Sequence, residues 1–160
     1  MFVPEEIPRE NRDEFYGTLA RQMEALMEDD LPIISNLANA TSLIFHQMDD
    51  LNWAGFYLLA GEELVLGPFQ GKPACTRIAM GRGVCGTAAT EKRSIVVADV
   101  REFPGHITCD AASRSELVIP LFRAGELLGV LDLDSPSPGR FDRADAEGLD
   151  AVVRVVAEVL

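Results

Sequence analysis

The sequence predicts an α+β fold in which helices pack on one face of a single antiparallel sheet and an irregular flap lies on the other. Three observations predict it: two successive amphipathic helical stretches, a run of short strand-like segments broken by irregular ones, and a closing amphipathic helix.

From Glu10 to Met27, Phe15, Tyr16, Leu19, Ala20, Met23, Leu26 and Met27 recur at helical spacing, with Arg12, Asp13, Arg21 and Glu28 on the opposite side. Asp29-Asp30 then offers an N-cap ahead of Leu31-Pro32, and Ile34, Leu37, Ala38, Thr41, Ile44, Phe45 and Met48 keep the 3.6-residue period of a second helix. Strands are predicted at Trp53–Leu59 and Glu63–Phe69, joined by Ala60-Gly61-Glu62, a connection suited to a hairpin. Gly81-Arg82-Gly83-Val84-Cys85-Gly86 leads into a short helical run ending near Glu91, and Ser94–Ala98 is a brief strand. Periodicity vanishes from Asp99 to Arg114, where Phe103-Pro104-Gly105-His106 is turn chemistry. A loop this long inside a compact domain is usually functional or disordered, and this one reads as an active-site flap. Glu116–Phe122 and Glu126–Asp134 form the clearest hairpin, and Pro136, Pro138 and Gly139 stop the sheet. The final stretch, Asp142–Leu160, carries Leu149, Val152, Val153, Val156, Ala157 and Leu160 on one helical face. No repeat or linker divides the 160 residues, a length suited to one core, so residues 1–160 are expected to form one domain.

Charge and composition narrow the partners. A formal net charge of −12 repels phosphate backbones, and no basic patch offsets it, which argues against nucleic acid. No apolar run approaches the ~20 residues of a membrane-spanning helix. Met1–Arg12 lacks the basic-then-apolar order of a secretory signal, so the expected location is the cytoplasm.

In a reducing compartment, three cysteines without any C-x-x-C pair make a permanent disulfide framework a poor explanation. Cys85 lies just before a predicted helix start, where free N–H groups and the helix dipole would favour thiolate. Cys109 lies on the flap, and Cys75 on another loop near Lys72. A zinc site from Cys75, Cys85, His106 and Cys109 would lack the tight cysteine pairs of structural zinc. A Cys-His hydrolase would need a base delivered from elsewhere in the fold, and His106 is too close in sequence to Cys109. A redox cycle needs only an accessible nucleophile and a second thiol within reach, with no metal and no cofactor.

Asp132 and Asp134, two apart on a strand, leave the same face. A two-residue Ala124-Gly125 turn would force Ala124 to positive φ, so a three-residue loop, Arg123-Ala124-Gly125, is expected, pairing Phe122 with Glu126 and setting Glu116 opposite Asp132. Three carboxyls on one face raise one another's pKa, leaving one able to keep a proton as a general acid.

At these residues the sequence resembles the free methionine-(R)-sulfoxide reductases, a family of stand-alone GAF domains. The likeness runs from about Asn52 to Asp142. It rests on Asn52-Trp53-Ala54-Gly55-Phe56-Tyr57, on Gly67-Pro68-Phe69-Gln70-Gly71 through Cys75, on Gly81-Arg82-Gly83-Val84-Cys85-Gly86, on Asp99-Val100, on Phe103-Pro104-Gly105-His106-Ile107 with Cys109-Asp110, and on Ser113 through Pro120. The resemblance implies that the Cys109 thiolate attacks the sulfur of free methionine sulfoxide and becomes a sulfenic acid. Cys85 or Cys75 then closes a disulfide, and thioredoxin resets it. It also implies that Glu116, Asp132 and Asp134 bind the substrate's ammonium and sulfoxide groups, while Trp53 walls its methyl group. The rivals are a GAF ligand sensor without catalysis and a redox switch without substrate. Whether two copies pair through their helices stays open.

Overall fold

The computed structural model describes residues 2–160. Its elements run α1 (Arg12–Leu26), α2 (Ile33–Gln47), β1 (Trp53–Ala60), β2 (Glu63–Gly71), β3 (Arg77–Ala79), α3 (Gly83–Glu91), β4 (Ile95–Val97), β5 (Ser115–Arg123), β6 (Glu126–Ser135) and α4 (Arg143–Glu158). The six strands form one antiparallel sheet in the order β3-β2-β1-β6-β5-β4, with three-residue strands at both edges. Short edges leave few unpaired backbone groups to recruit another strand.

Both faces of the sheet are buried, and strand alternation divides the residues between them. Ala54 and Phe56 of β1, Leu117, Ile119 and Leu121 of β5, and Leu131 and Leu133 of β6 face α1, α2 and α4 in the main core. Trp53, Tyr57, Val118 and Val130 face the other way, against Val84, Ala88 and Ala89 of α3 and against Phe103 and Ile107 of the flap. The three long helices thus share one face, as expected, and the short α3 joins the flap on the other. None of the helices among the described residues is long and apolar enough to cross a membrane.

The helix starts follow local chemistry. Asn11 caps α1 by accepting hydrogen bonds from the Asp13 and Glu14 amides, and Asp142 caps α4 in a reciprocal box with Asp145. The expected Asp29-Asp30 cap on α2 is not used. Pro32 occupies the cap position without a side-chain bond, its fixed φ of −55° suiting a helix entry. Asn36, from inside the helix, instead clasps the Glu28 backbone through both its amide groups.

The β5–β6 turn also corrects the sequence reading. Arg123 pairs with Glu126 around the two-residue loop Ala124-Gly125, with φ of 50° and 82°. That loop alone would set Glu116 opposite Leu133 and send it into the helical core. A bulge restores the face: Phe122 pairs with Leu127 but Leu121 pairs with Gly129, so Leu128 is the extra residue. Glu116 therefore faces Asp134, not Asp132, and Asp132 faces Val118.

Candidate active site

The sheet register builds the floor of the site. One cross-strand row runs Val97–Glu116–Asp134–Trp53, through β4, β5, β6 and β1, and the next row holds Asp132 between Val118 and Gly55. Glu116, Asp132, Asp134 and Trp53 are thus on one face and within neighbouring positions, as the sequence reading expects of them.

Above this floor stand α3 and two loops. Gly86, second after Val84 in α3, lies so near the Ala79 carbonyl that a Cβ there would clash, so glycine lets the first turn of α3 drop against the sheet edge. That brings Cys85 Sγ to 4.0 Å from Glu116 Oε1. Cys75, between β2 and β3, is joined to Cys109 of the flap by a disulfide with a Cα–Cα distance of 5.8 Å. Cys85 is the free thiol. Trp53, Tyr57, Cys85, His106, Cys109 and the three carboxylates line one cavity.

Cys85 departs from expectation in two ways. It lies inside the first turn of α3 and not in a loop, and it is buried. Burial first, then the charges of Asp132 and Glu116, push its thiol well above the ordinary range, outweighing the helix N-terminus that was expected to favour thiolate.

The three carboxyls shift in the same direction. Burial is the largest cause for each, followed by Asp134 for Glu116, by Glu116 for Asp132 and by Asp132 for Asp134. All three lie well above the usual carboxylate range, and the main influences acting on them include no lysine or arginine. These shifts favour retention of protons by the cluster, and a carboxyl holding one can donate a hydrogen bond. Asp132 Oδ1 is buried without any hydrogen-bond partner, an unmet acceptor on a residue that lines the cavity.

Trp53 serves both the core and the cavity. Only 2 % exposed, it stacks on Phe69 at 5.4 Å and on Tyr57 at 5.9 Å between ring centres, and its Nε1 donates to the Lys72 carbonyl. The Tyr57 hydroxyl donates to the Cys75 carbonyl at 2.9 Å, so the aromatic stack also steadies the Cys75 loop.

Several contacts escaped the sequence reading. His106 Nε2 lies 3.5 Å from Glu116 Oε2, and burial lowers its pKa, favouring neutral imidazole. Asn52 Nδ2 donates to both Asp110 Oδ2 and Ser113 Oγ, fastening the flap to the start of β1. No local pattern announces these contacts; Asn52 and Asp110 are 58 residues apart, and only their presence in the motifs singled them out.

With the bridge closed, the enclosed space is about 30 Å³, room for about two waters.

The GAF domain family model matches residues 11–160. The chain is 49 % identical over 150 residues to the free methionine-R-sulfoxide reductase of Escherichia coli, covering 94 % of this chain and 91 % of that enzyme. It is 42 % identical over 154 residues to the enzyme of the same name from Saccharomyces cerevisiae, covering 91 % and 86 %. Among solved structures, the X-ray structure of free methionine-R-sulfoxide reductase from Neisseria meningitidis in complex with its substrate superposes with a TM-score of 0.92, at 39 % identity over 99 % of this chain and 95 % of that one.

Proposed function

Since the chain belongs to the free methionine-R-sulfoxide reductases of the GAF domain family, we propose that its 160 residues act as one cytoplasmic domain reducing the R-sulfoxide of free methionine through Cys109. The observation that carries this reading is a disulfide-bonded pair of flap and loop cysteines at a cavity floored by three buried, proton-retaining carboxyls.

In the first step the Cys109 thiolate attacks the sulfoxide sulfur while a protonated carboxyl of the floor donates to the sulfoxide oxygen. Sulfur is reduced by two electrons, methionine leaves, and the oxygen passes to Cys109 as a sulfenic acid. The Cys75 thiol then attacks Cys109 Sγ, the S–O bond breaks, and water departs with the thiol proton. The Cys75–Cys109 bridge supports Cys75 as the resolving thiol, and the burial and raised pKa of Cys85 argue against its competing for that role. Thioredoxin supplies the next two electrons by thiol exchange at the bridge, where exposed Cys109 offers access.

Binding follows from charge. The free amino acid carries an ammonium that peptide-bound methionine lacks, and an acidic floor without basic partners selects for it. Asp132 Oδ1 is a waiting acceptor for that group. Trp53 offers the apolar wall for the methyl group, and the bridged cavity's small volume suits product expulsion on disulfide closure.

The test is turnover of free methionine-R-sulfoxide with thioredoxin by the wild type and by Cys109→Ser, Cys75→Ser and Cys85→Ser. Expected are no turnover for Cys109→Ser, about one methionine per enzyme for Cys75→Ser, and sustained cycling for Cys85→Ser. Normal activity of Cys109→Ser would overturn the assignment.

A further inference from the structure

Cys85 has no electron-transfer role in this scheme, yet it is buried where its chemistry matters. Its Sγ and one oxygen each from Glu116 and Asp132 all lie within 4.8 Å of one another, and all three side chains are buried. His106 Nε2 stands 3.5 Å from the second oxygen of Glu116. Asp132 is 7 % exposed and its Oδ1 points at no donor. Buried acid groups left without partners are costly, and among the described residues no lysine or arginine forms an ion pair with this set.

The donor types are specific about which cation would fit. Thiolate, imidazole and carboxylate together suit zinc, whereas magnesium and calcium prefer oxygen alone. Zinc–ligand bonds of roughly 2.0–2.3 Å bring tetrahedral donors to within about 4 Å of each other, so side-chain rotations would contract Cys85, Glu116 and Asp132 onto an ion, with His106 outside this group of three and joining from beside Glu116. With the disulfide closed, the cavity of about 30 Å³ has room for one ion.

We propose that Cys85, Glu116, Asp132 and His106 form a zinc site in the substrate-free protein. Zinc binding releases to solvent the Cys85 proton and any proton that the ligating Glu116 and Asp132 carboxyls hold. The bound ion occupies the acid floor and excludes the ammonium of an incoming amino acid. The site shares residues with the proposed substrate pocket but does not depend on that reading.

The experiment uses the Cys75–Cys109 bridged full chain, in which Cys85 is the single thiol, titrated with Co²⁺ alone. One equivalent is expected to produce a sulfur-to-cobalt charge-transfer band and visible tetrahedral bands, both bleached by one equivalent of Zn²⁺. Cys85→Ser should lose the charge-transfer band. Asp132→Asn, which keeps the shape of the side chain, should weaken cobalt binding at least tenfold. Far-ultraviolet circular dichroism checks that each variant is folded. Absence of the band in the wild type, its survival in Cys85→Ser, or unchanged affinity in Asp132→Asn would overturn the proposal. Because the readout is a spectrum, a silent titration leaves the reductase reading standing, and failed sulfoxide turnover leaves the zinc site standing.

Discussion

Lys72 Nζ lies 3.2 Å from Asp110 Oδ1, an ion pair that joins the loop of Cys75 to the flap residue directly after Cys109. Asp110 also accepts from Asn52 Nδ2 and from the Ala112 amide, and these hydrogen bonds, the Ala112 amide foremost, hold its carboxyl below the ordinary range. The two sulfur-bearing segments are thus fastened to each other and to β1 by one carboxylate.

That arrangement predicts unequal effects on disulfide closure. Lys72 is largely exposed, so its pair contributes little and Lys72→Ala should slow closure less than about threefold. Asp110→Ala removes three contacts and should prolong the Cys109 sulfenic acid about tenfold. Trapping with a sulfenic-acid reagent during a single turnover measures both.

The carboxyl floor predicts a pH dependence of stability. Glu116, Asp132 and Asp134 have native pKa values raised above those of the unfolded chain, so between the two the native state holds protons that the unfolded chain has released. Their contribution is intact below the ordinary carboxylate range of about 4 and is lost as pH rises through the raised native values. Asp132→Asn cannot ionise and should be more stable than the wild type at pH 8, with the advantage vanishing toward pH 4. For a chain of this size each 1 kcal/mol appears as about 2–4 °C in Tm, which thermal scans across that range resolve. A constant difference at all pH values would contradict the assignment.

Ala124 predicts a stabilising substitution. Its φ of 50° is the left-handed region, which costs an alanine about 1–2 kcal/mol. Glycine removes that strain but adds about 0.4–1 kcal/mol of unfolded-state entropy. Ala124→Gly should therefore raise stability by about 0.5 kcal/mol in denaturant unfolding without altering activity.

Trp53 predicts a divided outcome. Trp53→Ala opens a cavity between Phe69 and Tyr57 and should cost about 3–5 kcal/mol. Trp53→Phe keeps most of the stack, so a rise in KM for methionine sulfoxide larger than its loss of stability would isolate the wall's part in binding. Equal effects in both variants would reduce Trp53 to a core residue.

Most of the architecture is legible in the chain because it rests on periodicity. The 3.6-residue stripes of α1, α2 and α4 and the alternation in β1, β5 and β6 are local consequences of which residues must leave water. The edge strand β3, three residues long, is too short to leave a pattern and exists only because Glu63–Val65 of β2 gives it a partner. The acid face illustrates a subtler case. Expecting a three-residue turn and finding a two-residue turn plus a bulge at Leu128 lead to the same face, because each supplies the single extra residue that keeps Glu116 on the side of Asp132 and Asp134. The direct partner of Glu116 changed, since that depends on where the extra residue sits.

The sequence by itself determined the helices, every strand but β3, the three acids on one face of the β5–β6 hairpin and the exposed placement of Cys109, all of them properties of neighbours along the chain. Only the tertiary structure decided that Cys75 meets Cys109 across 34 residues, that Cys85 is sunk among carboxyls and holds its proton, and that His106 and Asn52 close the site. Those outcomes depend on desolvation and on distances between segments remote in sequence, which exist only once the sheet and its two covering layers have packed together.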